Sequence, residues 1–499
     1  MLDWVAIRRY QSTLGRRQMG IPATKIVHDR PLGISPRNTA PRYAARYARI
    51  IRLVAFASII SSPLWLTALF FTSPQDYSPT SSLVCVPLLA IFAAAAVIHF
   101  TQREPYLRRL LLAGLVAHMA ASSIFLWVGF NVYGATVDAF HYWTTGLQIA
   151  ARFQIVGWDA FRGPYWSTNL ISNLCGVAAL LIGDGLPTLF IASSFISLAG
   201  AYFFYRAFTI AFPDGDRWLF GLLVVLLPSL LFWSSFVGKD SLIQLFIALT
   251  CYGFARIAQK PSPAPVLYCA VGLIGALMVR AHVAAMLAMA ITFPYAVGKS
   301  RPGAASRVAK FILIPSLAVS TYFLISKASD FIDLQNENST GVFQQADIIT
   351  RNSQIGGSAF NEGTPLPLRI AASPFLLFRP FPWEMHNALA IGPALESIGL
   401  IYLLRVRRRE IFSVLRRWRD PFISFLLMYS TIFLVAFGGS ISNFGILLRQ
   451  RIMVVPAVLM LLCASQRFPA RSAARKLSRE TWTRPGLRVS PPGRIPAGP

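Results

Sequence analysis

Charged residues are scarce in this chain of 499 residues: Asp, Glu, Lys and Arg together make up 13% of it, whereas hydrophobic residues make up 55%. Soluble domains carry about 25% charged residues. The scarcity excludes an ordinary soluble domain and, with a mean hydropathy of +0.53, indicates an integral membrane protein. Several apolar stretches approach or exceed the roughly 20 residues that a helix needs to cross a bilayer. Because helices satisfy their own backbone in lipid, we predict an all-α, polytopic membrane protein.

Cysteine is also rare, and its spacing excludes two kinds of site. The five cysteines lie in or beside apolar segments, and none are paired as C-x-x-C: Cys85, Cys175, Cys251, Cys269 and Cys463. This pattern argues against a disulfide framework and against a structural zinc site.

Acidic residues are few relative to basic ones, with 20 Asp and Glu against 47 Lys and Arg, which gives a formal net charge of +27. In a soluble protein such an excess would suggest a nucleic-acid partner. In a chain this apolar, the cations are better interpreted as topology signals. We therefore expect the lipid bilayer to be a partner and nucleic acid not to be one.

The apolar segments predict twelve membrane-spanning helices between residues 50 and 465. They lie near residues 50–71, 83–100, 108–131, 188–206, 218–235, 241–257, 265–280, 282–298, 310–326, 387–404, 421–438 and 450–465. The stretch 168–185 is apolar but short, so we interpret it as a helix partly embedded in the membrane interface. Residues 1–49 are basic and lack the apolar core of a signal peptide, and residues 466–499 form a second basic segment that we expect to be disordered.

The distribution of cations predicts the orientation in the membrane. Lys and Arg crowd residues 1–49, the stretch "RVRRREIFSVLRRWRD" and the tail, whereas the long loops 132–187 and 327–386 contain two and four. Because cation-rich segments stay in the cytoplasm, both termini are expected to be cytoplasmic. Both long loops are then extracytoplasmic, which fits a multi-pass protein of the bacterial plasma (inner) membrane.

The stretch "GATVDAFHYWTTG", residues 134–146, places an aspartate and a histidine directly after an apolar segment. From Asp138 to Phe153 the apolar residues recur at three-and-four spacing, which suits an amphipathic helix lying in the membrane plane. Asp138 would lie at the start of that helix, near the positive end of its dipole. Such a position suits an acceptor arriving from water and a donor arriving from lipid. The alternative is that Asp138 only marks the interface.

A second group of ionisable residues lies in "LLPSLLFWSSFVGKDSLIQLF", residues 226–246, where Lys239 and Asp240 occupy the outer end of a short connection. Together with Asp138, the stretch around it resembles the GT-C superfamily of membrane glycosyltransferases, mainly over residues 130–260. The resemblance implies a polyprenyl-phosphate-linked sugar donor, a catalytic acid in the first large outer loop, here Asp138, and a second catalytic aspartate, here Asp240, in a later one. Lys239, directly before Asp240, is then a candidate substrate-binding residue. The motif is D-A-F-H-Y and not D-x-D, so it leaves open whether a divalent metal takes part; no other cofactor is expected.

The late outer loop contains "GGSAFNEG" and "LFRPFPWEMHN". Its length of about 60 residues favours a lid or binding loop over a simple connection. Arg379, Glu384 and His386 lie among aromatic residues, an arrangement that commonly grips a sugar, although an aromatic belt at the interface is the alternative. Bacterial polysaccharide polymerases, which the chain also resembles, carry a comparable late loop with essential arginines.

The stretch "SNFGILLRQRIMVVP", residues 442–456, places Asn443, Arg449 and Arg451 at the outer end of the last predicted span. Snorkelling to the headgroups is the ordinary explanation. However, cations at the outer end run against the positive-inside bias, and guanidinium groups match phosphate through paired hydrogen bonds. The pattern resembles the last span of GT-C enzymes, which implies arginines that hold the lipid phosphate. Arg280 and His282 are further candidates on the same side.

The sequence thus predicts a glycosyltransferase that moves a sugar from a polyprenyl-phosphate donor to an extracytoplasmic glycan or lipid acceptor in cell-envelope synthesis. Asp138 would be the general base, and His141, three residues further on, would orient its carboxylate. Two alternatives stay open: a Wzy-like polysaccharide polymerase or ligase, and a non-enzymatic flippase or transporter of lipid-linked sugars. A transporter predicts charges within the spans and internal repeats.

Overall fold

The computed structural model describes residues 79–134, 136–161, 163, 165–297, 360, 364–385, 390–441 and 443–464. Every regular element in these ranges is a helix, as the composition predicts. The basic segment 1–49, the predicted spans 50–71 and 310–326 and the tail 466–499 lie outside the described residues.

We number the α-helices of the described residues in chain order. They are α1 (Pro79–Phe100), α2 (Pro105–Asn131), α3 (Asp138–Val156), α4 (Ser167–Ile182), α5 (Leu186–Ala211), α6 (Arg217–Leu226), α7 (Pro228–Trp233), α8 (Lys239–Gln259), α9 (Pro263–Val279), α10 (Ala281–Val297), α11 (Leu366–Ala371), α12 (Ile391–Val406), α13 (Arg408–Leu415), α14 (Pro421–Ser440), α15 (Phe444–Arg451) and α16 (Val455–Cys463). Short 3-10 helices follow α3 at Gly157–Phe161 and α11 at Ser373–Phe378 and Pro382–Glu384.

Four helices are long and apolar enough to cross a membrane, namely α2, α5, α8 and the Pro421–Gly438 part of α14. The bent pair α15 and α16 makes a fifth if it is counted as one span, with 56° between its halves. The other apolar helices are shorter, with 10 to 17 residues, and include α4, α6, α9 and parts of α1 and α10. The protein is therefore a helical protein with several membrane-capable helices, while the count of twelve spans stays a prediction.

The predicted span 218–235 is not one helix, and this part of the prediction is wrong. Helix α6 ends at Leu226 and α7 begins at Pro228, with Leu227 in an extended conformation at φ −64° and ψ 127°. Proline has no N–H to donate, and its ring disfavours a helical conformation in the preceding residue. Pro228 therefore breaks the span and leaves backbone groups in the interior that need other partners.

Helix α8 lies at the centre of the bundle, packed against α5 and α9. Glycines permit this close approach, because a Cβ on Gly253 of α8 would lie 2.5 Å from the backbone nitrogen of Cys269 of α9. On the facing helix, a Cβ on Gly272 would lie 2.3 Å from the Thr250 hydroxyl oxygen. In lipid, where apolar surface gains nothing from leaving water, such close packing is a main source of helix association.

Helices α3 and α4 fold the predicted outer loop 132–187 into a hairpin. A Cβ on Gly146 would lie 2.5 Å from Cys175 Cβ and 2.9 Å from the backbone nitrogen of Gly176, so the two helices meet almost backbone to backbone. The indole of Trp143 is buried and donates to the carbonyl oxygen of Asp184 at 2.8 Å. These contacts fix α3 on the bundle, and with it the carboxylate of Asp138 at its first position.

The two ends of the bundle differ in chemistry. At one end, which we call the site end, α3 and α8 begin and α9 and α15 end, since their terminal residues bond to one another. At the other end, Asp216 pairs with Arg407 and its backbone nitrogen donates to the carbonyl of Cys463 at 2.8 Å. Exposed arginines cluster beside this second contact, at positions 405, 408, 409, 416, 417 and 419. The exposed arginines and the predicted site thus lie at opposite ends of the bundle.

Candidate functional site

The guanidinium of Arg449 joins two carboxylates at the site end. Its Nη1 donates to Asp138 Oδ2 at 2.9 Å and its Nε donates to Asp240 Oδ2 at 2.7 Å. The two carboxylates differ in access to solvent, because the side chain of Asp138 is 53% exposed and that of Asp240 is 0% exposed. The predicted outer-loop acid, the second aspartate and one predicted phosphate ligand therefore form a single cluster.

Asp240 is bonded on both sides by guanidinium groups. Its Oδ1 accepts a hydrogen bond from Arg280 Nη2 at 2.6 Å, and Arg280 also donates to the side chain of Gln450. Arg280 follows the last residue of α9, and Asp240 lies in the first turn of α8. A buried carboxylate with both oxygens occupied in this way is suited to holding Arg280 and Arg449 in position.

Lys239 extends the cluster toward α3 and α4. Its ammonium nitrogen donates to the hydroxyl oxygen of Thr168 on α4 at 3.1 Å. Burial raises the pKa of the Tyr142 phenol, and the nearby Asp138 carboxylate adds to that shift. The phenol is therefore neutral near pH 7, and α3 presents Asp138 and Tyr142 one helical turn apart.

The cluster carries a positive excess, because three cations, Lys239, Arg280 and Arg449, face two carboxylates. The Arg449 guanidinium also lies 5.3 Å from the ring centroid of Phe236, which stacks on Phe125. Among the described residues, Arg449 Nη2 and Asp138 Oδ1 make no hydrogen bond. A donor nitrogen and an acceptor oxygen thus stand side by side in a positive, partly apolar setting that suits an anionic ligand.

Arg451 lies apart from this cluster, in a separate buried pair. Its Nη2 donates to Glu396 Oε1 at 2.7 Å, with side-chain exposures of 2% and 1%. The same carboxylate accepts from the backbone nitrogen and the hydroxyl of Ser229, each at 2.7 Å. Glu396 therefore satisfies a backbone N–H that the Pro228 break leaves without a helical acceptor, and Arg451 neutralises the carboxylate.

The predicted sugar-binding group of the late loop forms a third assembly. Arg379 and Glu384 pair with each other, and Glu384 also accepts from the backbone nitrogen of Phe381 at 2.8 Å. The Arg379 guanidinium lies 4.3 Å from the ring centroid of Phe360 and 5.3 Å from that of Phe444. These contacts fold the loop against α15. His386 lies outside the described residues.

The remaining predicted residues of the described ranges make no hydrogen bond to the cluster. His141 is exposed on α3, and His282 is exposed at the start of α10, with its ring centroid 5.8 Å from that of Phe437. Asn443 caps α15, since its side-chain oxygen accepts from the backbone nitrogen of Gly445 at 2.8 Å. These placements indicate a structural role for Asn443 and leave both imidazoles available to a ligand.

Within the described ranges, no three His, Cys, Asp or Glu side chains come together in a way that could hold a metal ion. The comparisons with protein-family models, curated proteins and solved structures found no match.

Proposed function

We propose that the protein is a membrane glycosyltransferase that moves a sugar from a polyprenyl-phosphate donor to an acceptor on the extracytoplasmic side of the bacterial plasma membrane. The observation that carries the proposal is the shared guanidinium of Arg449, which joins a half-exposed carboxylate to a positive cluster at the end of an apolar bundle. A lipid-linked sugar phosphate needs these neighbours: lipid for its tail, cations for its phosphate and a base near its sugar.

The three cations suit the donor phosphate. Arg280 and Arg449 are held in fixed orientations by Asp240, and fixed guanidinium groups recognise phosphate oxygens through paired hydrogen bonds. Lys239 adds a third charge through Thr168. Charges that are already in position stabilise a leaving phosphate without reorganisation at the moment of reaction. We therefore assign Asp240 to positioning Arg280 and Arg449. The sequence resemblance implies a direct catalytic role for Asp240, which this assignment replaces.

Asp138 suits the acceptor. In the proposed reaction its carboxylate takes the proton of the acceptor hydroxyl while the hydroxyl oxygen bonds to the anomeric carbon. The bond from that carbon to the phosphate oxygen breaks, and its electron pair leaves with polyprenyl phosphate. Attack from the face opposite the leaving phosphate inverts the anomeric configuration. His141, on the next turn of α3, is exposed, makes no hydrogen bond to Asp138 and is assigned to orienting the acceptor.

The experiment is sugar transfer by the purified full chain in liposomes, with a panel of synthetic polyprenyl-phosphate monosaccharides carrying radiolabelled sugars and a lipid extract as acceptor source. Labelled product that depends on Asp138 supports the proposal, and product that grows by repeat units would favour the polymerase alternative. Binding of farnesyl phosphate, a short polyprenyl phosphate, is measured in parallel. Failure of farnesyl phosphate to bind would exclude the proposed site.

A second function has an observation in its favour. Two helices are broken, at Leu227–Pro228 and between α15 and α16, and the buried Arg451 and Glu396 pair joins these two breaks. Broken helices with internal charges are a feature of transporters. A flippase for lipid-linked sugars would move the labelled donor between leaflets without an acceptor. The same liposomes test this, since a membrane-impermeant reagent can oxidise only the sugars on the outer leaflet.

A further inference from the structure

Arg449 is hydrogen-bonded to Asp138. The proposed function, however, requires Arg449 to bind the donor phosphate and Asp138 to accept a proton from the acceptor hydroxyl. A carboxylate oxygen that accepts a hydrogen bond from a guanidinium is not open to the proton of an acceptor hydroxyl. A guanidinium that is paired with a carboxylate has fewer donors for a phosphate. As the structure stands, the contact between Arg449 Nη1 and Asp138 Oδ2 at 2.9 Å engages one oxygen of the base and one donor nitrogen of the phosphate ligand.

We propose that Arg449 is an exchange residue: the donor phosphate takes the place of Asp138 on Nη1, and the carboxylate released in this way becomes the base. The inference rests on the proposed function, because it names the order of events at the same site. The donor binds first, and its phosphate releases Oδ2, so that both oxygens of Asp138 are then open to the acceptor.

The two bonds of Arg449 differ in a way that permits the exchange. Asp240 is buried and also held by Arg280, so its bond to Arg449 Nε persists and keeps the guanidinium in place. Asp138 is 53% exposed, and its Oδ1 makes no hydrogen bond within the described ranges. An exposed ion pair contributes little stability, and Asp138 occupies the first position of α3. Its side chain can therefore rotate into solvent without disturbing the helix.

In the exchange, the Asp138 carboxylate and the donor phosphate compete for Arg449 Nη1. Each therefore weakens the binding of the other by the same factor. Asp138→Asn removes the competing anion from Arg449. Farnesyl phosphate should then bind more tightly than to the wild type, by about fivefold or more on the usual scale of such coupling. The same substitution in an Arg449→Lys background should produce a smaller gain, because lysine keeps the positive charge but not the planar guanidinium. Asp138→Asn changes a half-exposed side chain, so the test does not depend on a variant that disturbs the core.

The direct test is chemical labelling of Asp138 in the full-length wild type in maltoside detergent. A water-soluble carbodiimide with glycine ethyl ester converts accessible carboxylates to amides, which are quantified by peptide mass spectrometry. We expect farnesyl phosphate to raise labelling of Asp138 several-fold and farnesol to leave it unchanged. Asp214, an exposed carboxylate at the opposite end of the bundle, is the internal reference.

The outcomes separate this inference from the proposed function. If farnesyl phosphate binds and Asp138 labelling stays constant or falls, the exchange is wrong while the phosphate site stands. Weaker or equal farnesyl phosphate binding by Asp138→Asn would also overturn the exchange. If farnesyl phosphate does not bind to the wild type at all, the proposed function fails first, and the exchange fails with it.

Discussion

Arg449 donates a hydrogen bond to Asp138 at 2.9 Å across 311 residues of sequence. The contact joins the first residue of α3 to α15, and Asp240 of α8, which Arg280 also binds, holds the same guanidinium from the other side. The site is therefore a property of the assembled bundle, and its parts are separable by substitution.

Asp138→Asn should reduce sugar transfer by about 10² to 10⁴ while farnesyl phosphate still binds, because loss of a general base affects the chemical step. The measurement is initial rate at saturating donor in liposomes. Asp214→Asn, which changes an exposed carboxylate far from the cluster, is the matched control and should behave as the wild type. Near-normal transfer by Asp138→Asn would return this residue to the role of an interface marker.

Arg449→Lys should weaken farnesyl phosphate binding by about tenfold or more, because an ammonium cannot bond Asp240 and a phosphate through a planar fork. His141→Ala, on the next turn of α3, should leave that binding within about twofold of the wild type and reduce transfer less than Asp138→Asn does. Binding is measured by displacement of a fluorescent polyprenyl phosphate analogue. Equal affinity in Arg449→Lys and the wild type would show that the phosphate does not contact this guanidinium.

Arg451→Ala should lower the stability of the bundle by about 3 to 5 kcal/mol, because it leaves the Glu396 carboxylate buried without a countercharge. The measurement is thermal unfolding in detergent. In the double variant Arg451→Met with Glu396→Gln no unpaired charge remains, so part of the loss should be recovered. A single variant as stable as the wild type would show that Arg451 does not neutralise a buried Glu396 carboxylate.

Gly146→Val should destabilise the α3–α4 hairpin by roughly 1 to 3 kcal/mol, the usual range for overpacking, because even a Cβ at this position would lie 2.5 Å from Cys175 Cβ. Sugar transfer should fall as well, since α3 carries Asp138. Gly399→Ala is the control, because a Cβ there meets nothing within 4 Å. If both variants unfold at the same temperature, α3 and α4 do not pack as described.

The orientation is tested with single cysteines at Trp383 and Arg408 in a variant without the five native cysteines. Both positions are exposed, and the distribution of cations predicts that position 383 is extracytoplasmic and position 408 cytoplasmic. A membrane-impermeant maleimide should label only position 383 on intact cells and both positions after lysis. Equal labelling on intact cells would contradict the predicted topology.

The sequence predicts the helical class and most of the cluster, because apolar composition and unusual charges at the ends of apolar segments are local signals. Asp138, Lys239, Asp240, Arg280 and Arg449 were all found in this way. Tyr142 and Thr168 were missed, since a tyrosine and a threonine beside a membrane segment are common in any interface. Only the tertiary contact between α3, α4 and α8 distinguishes them.

The sequence did not distinguish Arg449 from Arg451, although one local rule separates them. Residues two apart on a helix point to different faces, so both guanidinium groups on α15 cannot reach one small ligand from the same side. Glu396 within a predicted span was the second signal, because an acidic residue there requires a partner. The break at Pro228 was readable from the proline itself, but the acceptor that satisfies Ser229 was not.

The buried bond between Glu396 and Arg451 also has a consequence for biogenesis. Arg451 follows Glu396 by 55 residues, so α12 leaves the ribosome before its countercharge has been synthesised. A charged side chain costs about 2.5 to 3.5 kcal/mol at the centre of an inserting helix, and Ser229 alone cannot neutralise it. We therefore expect α12 to settle into the bundle only after α15 arrives. Nascent chains arrested before residue 451 should then expose α12 to proteases that the finished protein resists.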